Sequence, residues 1–229
     1  MPNLNEFEKK LGYTFNNISI LKNALTHTSY TNEHKDTSPV SNERMEFLGD
    51  SVLGLSVSEF LYNNYKMLPE GVLSKIRASV VCEESLAKIA SSLNLGNYIY
   101  MGKGELMTGG KLKPSVTSDA MESVIAAIYL DSDFNTVKKY ILGWLKESII
   151  EAAEHRGREA DHKSRLQEFC QGKGFIPNYD LIGESGPDHS KVFEVRVSLP
   201  NGQFADGKGS NKKKAQQEAA KELLKRLGR

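Results

Sequence analysis

The run Asn42-Glu43-Arg44-Met45-Glu46-Phe47-Leu48-Gly49-Asp50-Ser51-Val52-Leu53 limits what this chain can fold into more than any other stretch. In an α-helix, residues at i and i+4 lie about 6 Å apart along the axis and project from one face. A helix here therefore sets the carboxylates of Glu46 and Asp50 side by side. Met45, Phe47, Leu48, Val52, Leu53, Leu55 and Val57 fill the rest of the circumference, and a helix apolar nearly all round is one that protein encloses. Two anions in that setting are unfavourable unless a cation compensates them. The fold has to wrap this helix and bring positive charge to it.

A second acidic pair stands at Asp119 and Glu122, i and i+3 in Ser118-Asp-Ala-Met-Glu-Ser-Val-Ile-Ala-Ala-Ile-Tyr-Leu130. Acids in a first helical turn are stabilised by the macrodipole and need no further role. Here, however, Val124, Ile125, Ala126, Ala127, Ile128 and Leu130 leave no obvious polar face, so a core helix carries two anions near its start. Two such helices can converge on one site. Four carboxylates without Cys or paired His form a hard oxygen ligand set, suited to Mg²⁺ or Mn²⁺ rather than zinc. Magnesium also suits phosphate chemistry, since it acidifies a bound water and neutralises charge on a phosphodiester. The competing explanation is a salt-bridge network with Arg44, Lys75 or Arg77, which spacing alone does not settle.

From Asn3 to about Ala153 the pattern is helical, strongest over 43–65, 84–93, 118–131 and 134–153, with no strand alternation. In the last of these, Val137, Tyr140, Ile141, Trp144, Leu145 and Ile149 form one apolar stripe, and the helix is expected to stop before Gly157. The charged segment 154–161, nearly devoid of apolar side chains, is expected to link residues 1–153 to a second domain at 162–229. There the grammar changes. Lys163 to Gln171 reads as helix and Tyr179 to Gly183 as strand. In Val192 to Leu199, Phe193, Val195, Val197 and Leu199 alternate with Glu194, Arg196 and Ser198. Pro200-Asn-Gly202 is a hairpin turn, a partner strand runs from Gln203 towards Lys208, and Ala215, Ala219, Leu223 and Leu227 give a closing helix its buried seam. The expected fold class is α+β: an all-α N-terminal domain followed by a small α-β-β-β-α domain.

The overall formal charge of +1 hides an asymmetry. Residues 157–229 carry 14 Lys+Arg against 10 Asp+Glu, and the rest of the chain 16 against 19. A basic module follows an acidic one, as expected if the first meets a polyanion and the second collects cations. No apolar run approaches the roughly 20 residues of a membrane span, and the N-terminus lacks the apolar stretch of a secretory signal. A cytoplasmic protein without a membrane partner is expected. Cys82 and Cys170 are too far apart in sequence and too few for a disulfide framework or a zinc site.

The run 42–53 resembles the ribonuclease III signature, and the similarity extends through Thr26-His-Thr-Ser-Tyr30, Pro69-Glu-Gly-Val-Leu-Ser74, Gly102-Lys-Gly-Glu105, Gly109-Gly110 and 119–131. It covers essentially the whole chain. The resemblance implies a homodimeric, all-helical endonuclease domain in which Glu46, Asp119 and Glu122 ligate Mg²⁺ and Asp50, with Glu122, has a catalytic role. Glu43 and Glu70 match further family acids near the cleft and dimer interface, and solvated or salt-bridged surface roles fit them equally well. Other features read as structural. His27 is expected to be a hydrogen-bonded turn histidine. Gly49 and Gly54, which cost helix stability relative to Ala, mark close backbone packing. The segment 102–114, with four Gly and three Lys, reads as a flexible connector.

The C-terminal module resembles a double-stranded RNA-binding domain. Leu166-Gln-Glu168, Gly186-Pro-Asp-His-Ser-Lys191 and Gly207-Lys-Gly-Ser-Asn-Lys-Lys-Lys-Ala215 carry the match. A-form RNA hides its base edges, so a duplex reader relies on 2′-hydroxyls and phosphates over about 16 bp. The resemblance places Gln167, Glu168 and His189 at minor grooves and Lys212 and Lys213 on phosphate, at a helix N-terminus that already favours an anion. Gln216 departs from the pattern, which commonly has Lys there, with Lys214 and Lys221 available to compensate. The function implied is Mg²⁺-dependent hydrolysis of duplex RNA, leaving 5′-phosphate and 3′-hydroxyl ends with short 3′ overhangs on structured precursors such as ribosomal and some messenger RNA. A non-catalytic duplex-RNA-binding scaffold is the alternative.

Overall fold

Local caps lay out the first helices, as seen in a computed structural model that describes residues 2–37, 39–66, 68–160, 162–187 and 190–228. Asn3 Oδ1 accepts from Glu6 N to open α1 (Leu4–Leu11), and Gly12, at φ 73°, closes it. Asn17 caps α2 (Ile18–Ala24) and His27 caps α3 (Thr28–Glu33) in the same way. There follow α4 (Glu43–Asn64), α5 (Glu70–Val80), α6 (Glu83–Ser92), α7 (Lys103–Met107), α8 (Pro114–Asp131) and α9 (Phe134–Ala160). Pro114 occupies the first turn of α8, where its missing N–H costs nothing.

The chain divides into two units, Met1–Ala153 and Glu154–Arg229. In the first, α8 is the central element: Ala120, Met121 and Val124 to Ile128 are all buried. It packs most extensively on α4, then on α6 and α2. Leu53, Val57 and Leu61 from α4, Leu86 from α6 and Leu21 from α2 are sealed against it, each contributing about 1.5–3 kcal/mol by burial. Among the described residues, no helix is long and apolar enough to cross a membrane.

Three expectations need correction. First, α4 is not enclosed on all sides. Phe47 is 78% exposed and Leu55 57%, on a face that none of the described residues covers, because α8 takes up only one side of the helix. Second, 102–114 is folded rather than a loose connector. It contains α7 and a 3₁₀ turn at Gly110–Leu112, held by a Lys113–Glu105 ion pair of 2.7 Å and by Glu33 accepting from the main-chain N–H of Lys103. Third, α9 continues to Ala160 instead of stopping before Gly157. Loss of an apolar stripe removes packing but not helix propensity, and a single interior Gly costs only about 1 kcal/mol.

In the second unit, α10 (His162–Gln171) precedes an antiparallel sheet of β1 (Asn178–Ser185), β2 (Val192–Ser198) and β3 (Phe204–Gly209) in that order, and α11 (Lys212–Arg226) closes it. Tyr179, Val197 and Ala205 stand opposite one another in register, and a bulge falls between Leu181 and Gly183. Gly202 takes φ 85° in the hairpin turn. Val197, Leu199 and Ala205 from the sheet pack with Leu166, Cys170, Ala219 and Leu223 into a separate small core. The expected helix-strands-helix order and the Ala215/Ala219/Leu223 seam are both present.

Candidate functional site

Gly49 is what lets the two acidic helices meet. A Cβ at this position would fall onto the main-chain carbonyl of Glu122, so α4 and α8 touch backbone to backbone between Glu46 and Asp50 on one side and Asp119 and Glu122 on the other. The close packing expected at Gly49 is found. At Gly54 it is not, since a Cβ there would meet open space.

Hydrogen bonds fix the register of this contact. Buried Asn42 donates its main-chain N–H to Thr26 O, and its carbonyl accepts from the N–H groups of Met45 and Glu46 and lies 3.3 Å from Ser123 Oγ. The Ser123 hydroxyl, fully buried, also sits 2.9 Å from Asp119 O, one turn back on α8. One serine thus joins the acidic turn of α8 to the start of α4. Thr26 is itself anchored by its bridge to Tyr100.

Glu46, Asp119 and Glu122 are half-buried and Asp50 is exposed. Burial, reinforced by the charges of Asp50, Asp119 and Glu46, pushes Glu122 up to about 7. Burial followed by Asp119, Glu43 and Asp50 raises Glu46 above the usual carboxylate range. Asp119 is raised mainly by burial and by Glu83, with the Ser118 hydroxyl and His27 acting against them. Among the described residues no cation acts on Glu46 or Glu122. The salt-bridge explanation through Arg44, Lys75 or Arg77 therefore finds no support, and Arg77 donates to Ser58 Oγ instead. Nor does the macrodipole account for the second pair, because α8 starts at Pro114 and Asp119 and Glu122 lie beyond its first turn.

The four carboxylates predicted to share a site thus act on one another electrostatically. The donor set is all carboxylate oxygen, and among the described residues no cation acts on Glu46 or Glu122, which fits a hard divalent cation. Among the described residues, no three His, Cys, Asp or Glu side chains already stand in a ligating arrangement. Glu43 is exposed, accepts from Ser41 Oγ at 2.8 Å and is one of the charges that raise Glu46. Glu70 opens α5, accepts from Ser74 Oγ and is not among the charges acting on Glu46, Asp119 or Glu122. His27 is the expected turn histidine: its Nδ1 accepts from Ser29 N and bonds Ser29 Oγ. Sequence reasoning passed over Ser123, Asn42 and Glu83. A lone serine inside the apolar run after Glu122 was the available signal for the first.

In the second unit, Leu166 is buried while Gln167 and Glu168 are exposed beside it on α10. Asn211 Oδ1 accepts from Lys214 N and caps α11, which sets Lys212 and Lys213 in its exposed first turn. His189 lies outside the described residues. Gln216, the departure from the expected Lys, accepts from Lys163 Nζ at 2.9 Å, and that ammonium lies 4.7 Å from the Tyr179 ring centroid. The adjacent Gln217 accepts from Lys163 N at the start of α10. Positions 216 and 217 hold the two helices of this unit together.

A family model described as Ribonuclease-III-like matches residues 17–149, and one described as a double-stranded RNA binding motif matches 162–227. The Ribonuclease 3 of a Nitratiruptor species is 48% identical over 228 residues, which span 99% of this chain and 98% of that protein. The chain belongs to the ribonuclease III family. The Ribonuclease 3 of Caldanaerobacter subterraneus subsp. tengcongensis is 46% identical over 98% of both chains. A solved nuclease domain of ribonuclease III from Campylobacter jejuni, studied for structural flexibility in a region involved in dimer formation, is 44% identical. It covers 64% of this chain and 98% of its own, with a TM-score of 0.59. As a ribonuclease III, the chain is a double-stranded-RNA endoribonuclease with a helical nuclease domain and an RNA-binding domain. The scaffold alternative is set aside, since the relatives that match over nearly the whole chain carry the name of the enzyme.

Proposed function

We propose that Glu46, Asp119 and Glu122 hold Mg²⁺, for which Mn²⁺ can substitute, and that Asp50 and Glu122 act at the scissile phosphodiester. The observation that carries this is the meeting of four carboxylates at the α4–α8 contact, where Glu122 is pushed up to about 7 by burial and three neighbouring carboxylates. A divalent ion there supplies Lewis-acid chemistry, neutralising charge on the phosphate and acidifying water. The protein's own part is to hold the carboxylates on two rigid helices, locked by Gly49 and Ser123, and to yield the Glu122 proton when a cation arrives. Asp50, exposed at the rim, faces substrate and accepts a proton. Glu43, whose charge disfavours ionised Glu46, adds to the negative potential that draws a cation, and Glu70 belongs to the surrounding surface rather than to the ligand set.

Lys212 and Lys213 contact phosphate from the N-terminus of α11, and Gln167, Glu168 and His189 contact minor grooves. Hydrolysis leaves 5′-phosphate and 3′-hydroxyl ends. Two copies of the chain, each cutting one strand, give the short 3′ overhang. A homodimer is supported by the uncovered apolar face of α4, where Phe47, Leu55 and Tyr62 are exposed and Gly54 leaves open space, and by the dimer-forming region described for the Campylobacter jejuni relative. The substrates are structured ribosomal, messenger and transfer RNA precursors in the cytoplasm. The test is Glu122→Ala and Asp50→Asn: each abolishes cleavage of a long duplex while duplex affinity in the presence of chelator stays within about twofold of the native chain. Retained cleavage in either variant removes that residue from the site.

A further inference from the structure

The lysines of the RNA-binding unit are not simply offered to solvent. Glu184, near the end of β1, reaches two of them at once: its Oε2 lies 3.2 Å from Lys191 Nζ and its Oε1 3.8 Å from Lys212 Nζ. Lys212 Nζ also lies 6.0 Å from the ring centroid of Phe193, which is the register partner of Glu184 on β2. The Lys212 ammonium, though exposed, thus sits within reach of both Glu184 and the Phe193 ring. Lys191 stands just before β2 and lines a shallow pocket with Ser190, Phe193, Lys208 and Ser210.

A carboxylate bridging two lysines presents much the charge and geometry that an RNA phosphate presents to them. An ammonium has three donors but one charge, so each phosphate contact made by Lys212 or Lys191 is made against Glu184. Once its lysines turn to RNA, the carboxylate is left beside a polyanion and repels it. Glu184 must therefore subtract from duplex affinity. Exposed ion pairs of this kind are individually weak, so RNA can displace them. The ordering of two lysines before binding reduces the entropy lost on binding but does not offset the competing charge.

We propose that Glu184 is a binding-determining residue of this enzyme, an intramolecular stand-in for RNA phosphate that holds Lys191 and Lys212 and sets both the affinity for duplex and the rate of its release. The inference rests on the assignment of Lys212 to phosphate contact. Because opening the pair precedes phosphate contact and re-forming it assists departure, its removal both speeds association and slows dissociation.

The test uses the full chain with chelator, so that the duplex stays intact, and follows binding to a perfect RNA duplex by fluorescence anisotropy over a range of salt. Glu184→Gln, isosteric and at an exposed position, binds roughly threefold to tenfold tighter at low salt, dissociates more slowly, and steepens the salt dependence by up to about one unit. At high salt the difference closes. In the Glu184→Gln background, Lys212→Ala costs more affinity than it does in the native chain, a coupling that a merely structural role for Glu184 does not produce. If Lys212→Ala with Lys213→Ala weakens binding but Glu184→Gln leaves affinity and salt slope unchanged, or weakens binding, the stand-in role is wrong and the lysine assignment survives. If the double lysine variant binds like the native chain, both are wrong.

Discussion

Glu122 concentrates the chemistry of the site in one side chain, because it is the carboxylate most exposed to the charge of the others and the one against which α4 is packed. With its folded-state value raised to about 7 from an ordinary 4.5, the folded protein keeps a proton between those values that the unfolded chain has already lost. Its contribution to stability is complete below about pH 4.5 and is lost as pH rises through 7. In chelator, then, Glu122→Gln gains on the native chain as pH is raised from 5 to 8, by on the order of 1–3 kcal/mol once residual solvent screening is allowed for. Denaturant unfolding at both pH values measures it, and a difference independent of pH contradicts the assignment. The identities of the four acids and their pairing were legible from i, i+3 and i, i+4 spacing. Their unequal burial was not, because exposure of Asp50 and half-burial of Glu122 depend on where α8 crosses α4, a contact between residues more than seventy positions apart.

Single elements were legible wherever one chain segment decides its own structure. The apolar run of α8, the alternation of β2, the Pro-Asn-Gly turn and the Ala215, Ala219 and Leu223 seam of α11 appear as expected, while Leu227 falls just past the helix end and is only partly buried. The failures occur where distant partners decide. The glycines and lysines of 102–114 suggest a loose connector, yet Glu33, seventy positions from Lys103, holds the start of that segment, and the internal Lys113–Glu105 pair closes it. Gly49 and Gly54 look equivalent in sequence, and only Gly49 meets another backbone. Gly49→Ala places a methyl group on the Glu122 carbonyl and forces α4 away from α8, at a cost of about 1–3 kcal/mol or somewhat more. Cleavage activity then falls further than stability alone explains, since the two acid pairs separate. Thermal unfolding and duplex cleavage on the same preparation check this, and a stable, fully active Gly49→Ala protein would mean that the spacing of these helices does not set the site.

For the whole molecule, an acidic helical unit and a basic α-β-β-β-α unit occupy one chain, so cation binding and polyanion binding are separable by mutation. The open face of α4, with Phe47, Leu55 and Tyr62 exposed, has no partner among the described residues. Phe47→Glu, at a side chain 78% exposed in the single chain, leaves the fold intact and converts the proposed homodimer to monomer in sedimentation, whereas an unchanged mass places the dimer contact elsewhere. Legibility of the sequence ended at this scale too, because two apolar residues that face solvent within one chain look the same in sequence as two that face its core. The central claim, that the carboxylate cluster makes a divalent-cation-dependent nuclease of a chain that also binds duplex RNA, is tested most directly by incubating the native protein with a long perfect RNA duplex in Mg²⁺ and again in excess chelator. Staggered fragments in Mg²⁺, with an intact but still bound duplex in chelator, are the expected result; equal cleavage under both conditions, or none in any divalent cation, would contradict it.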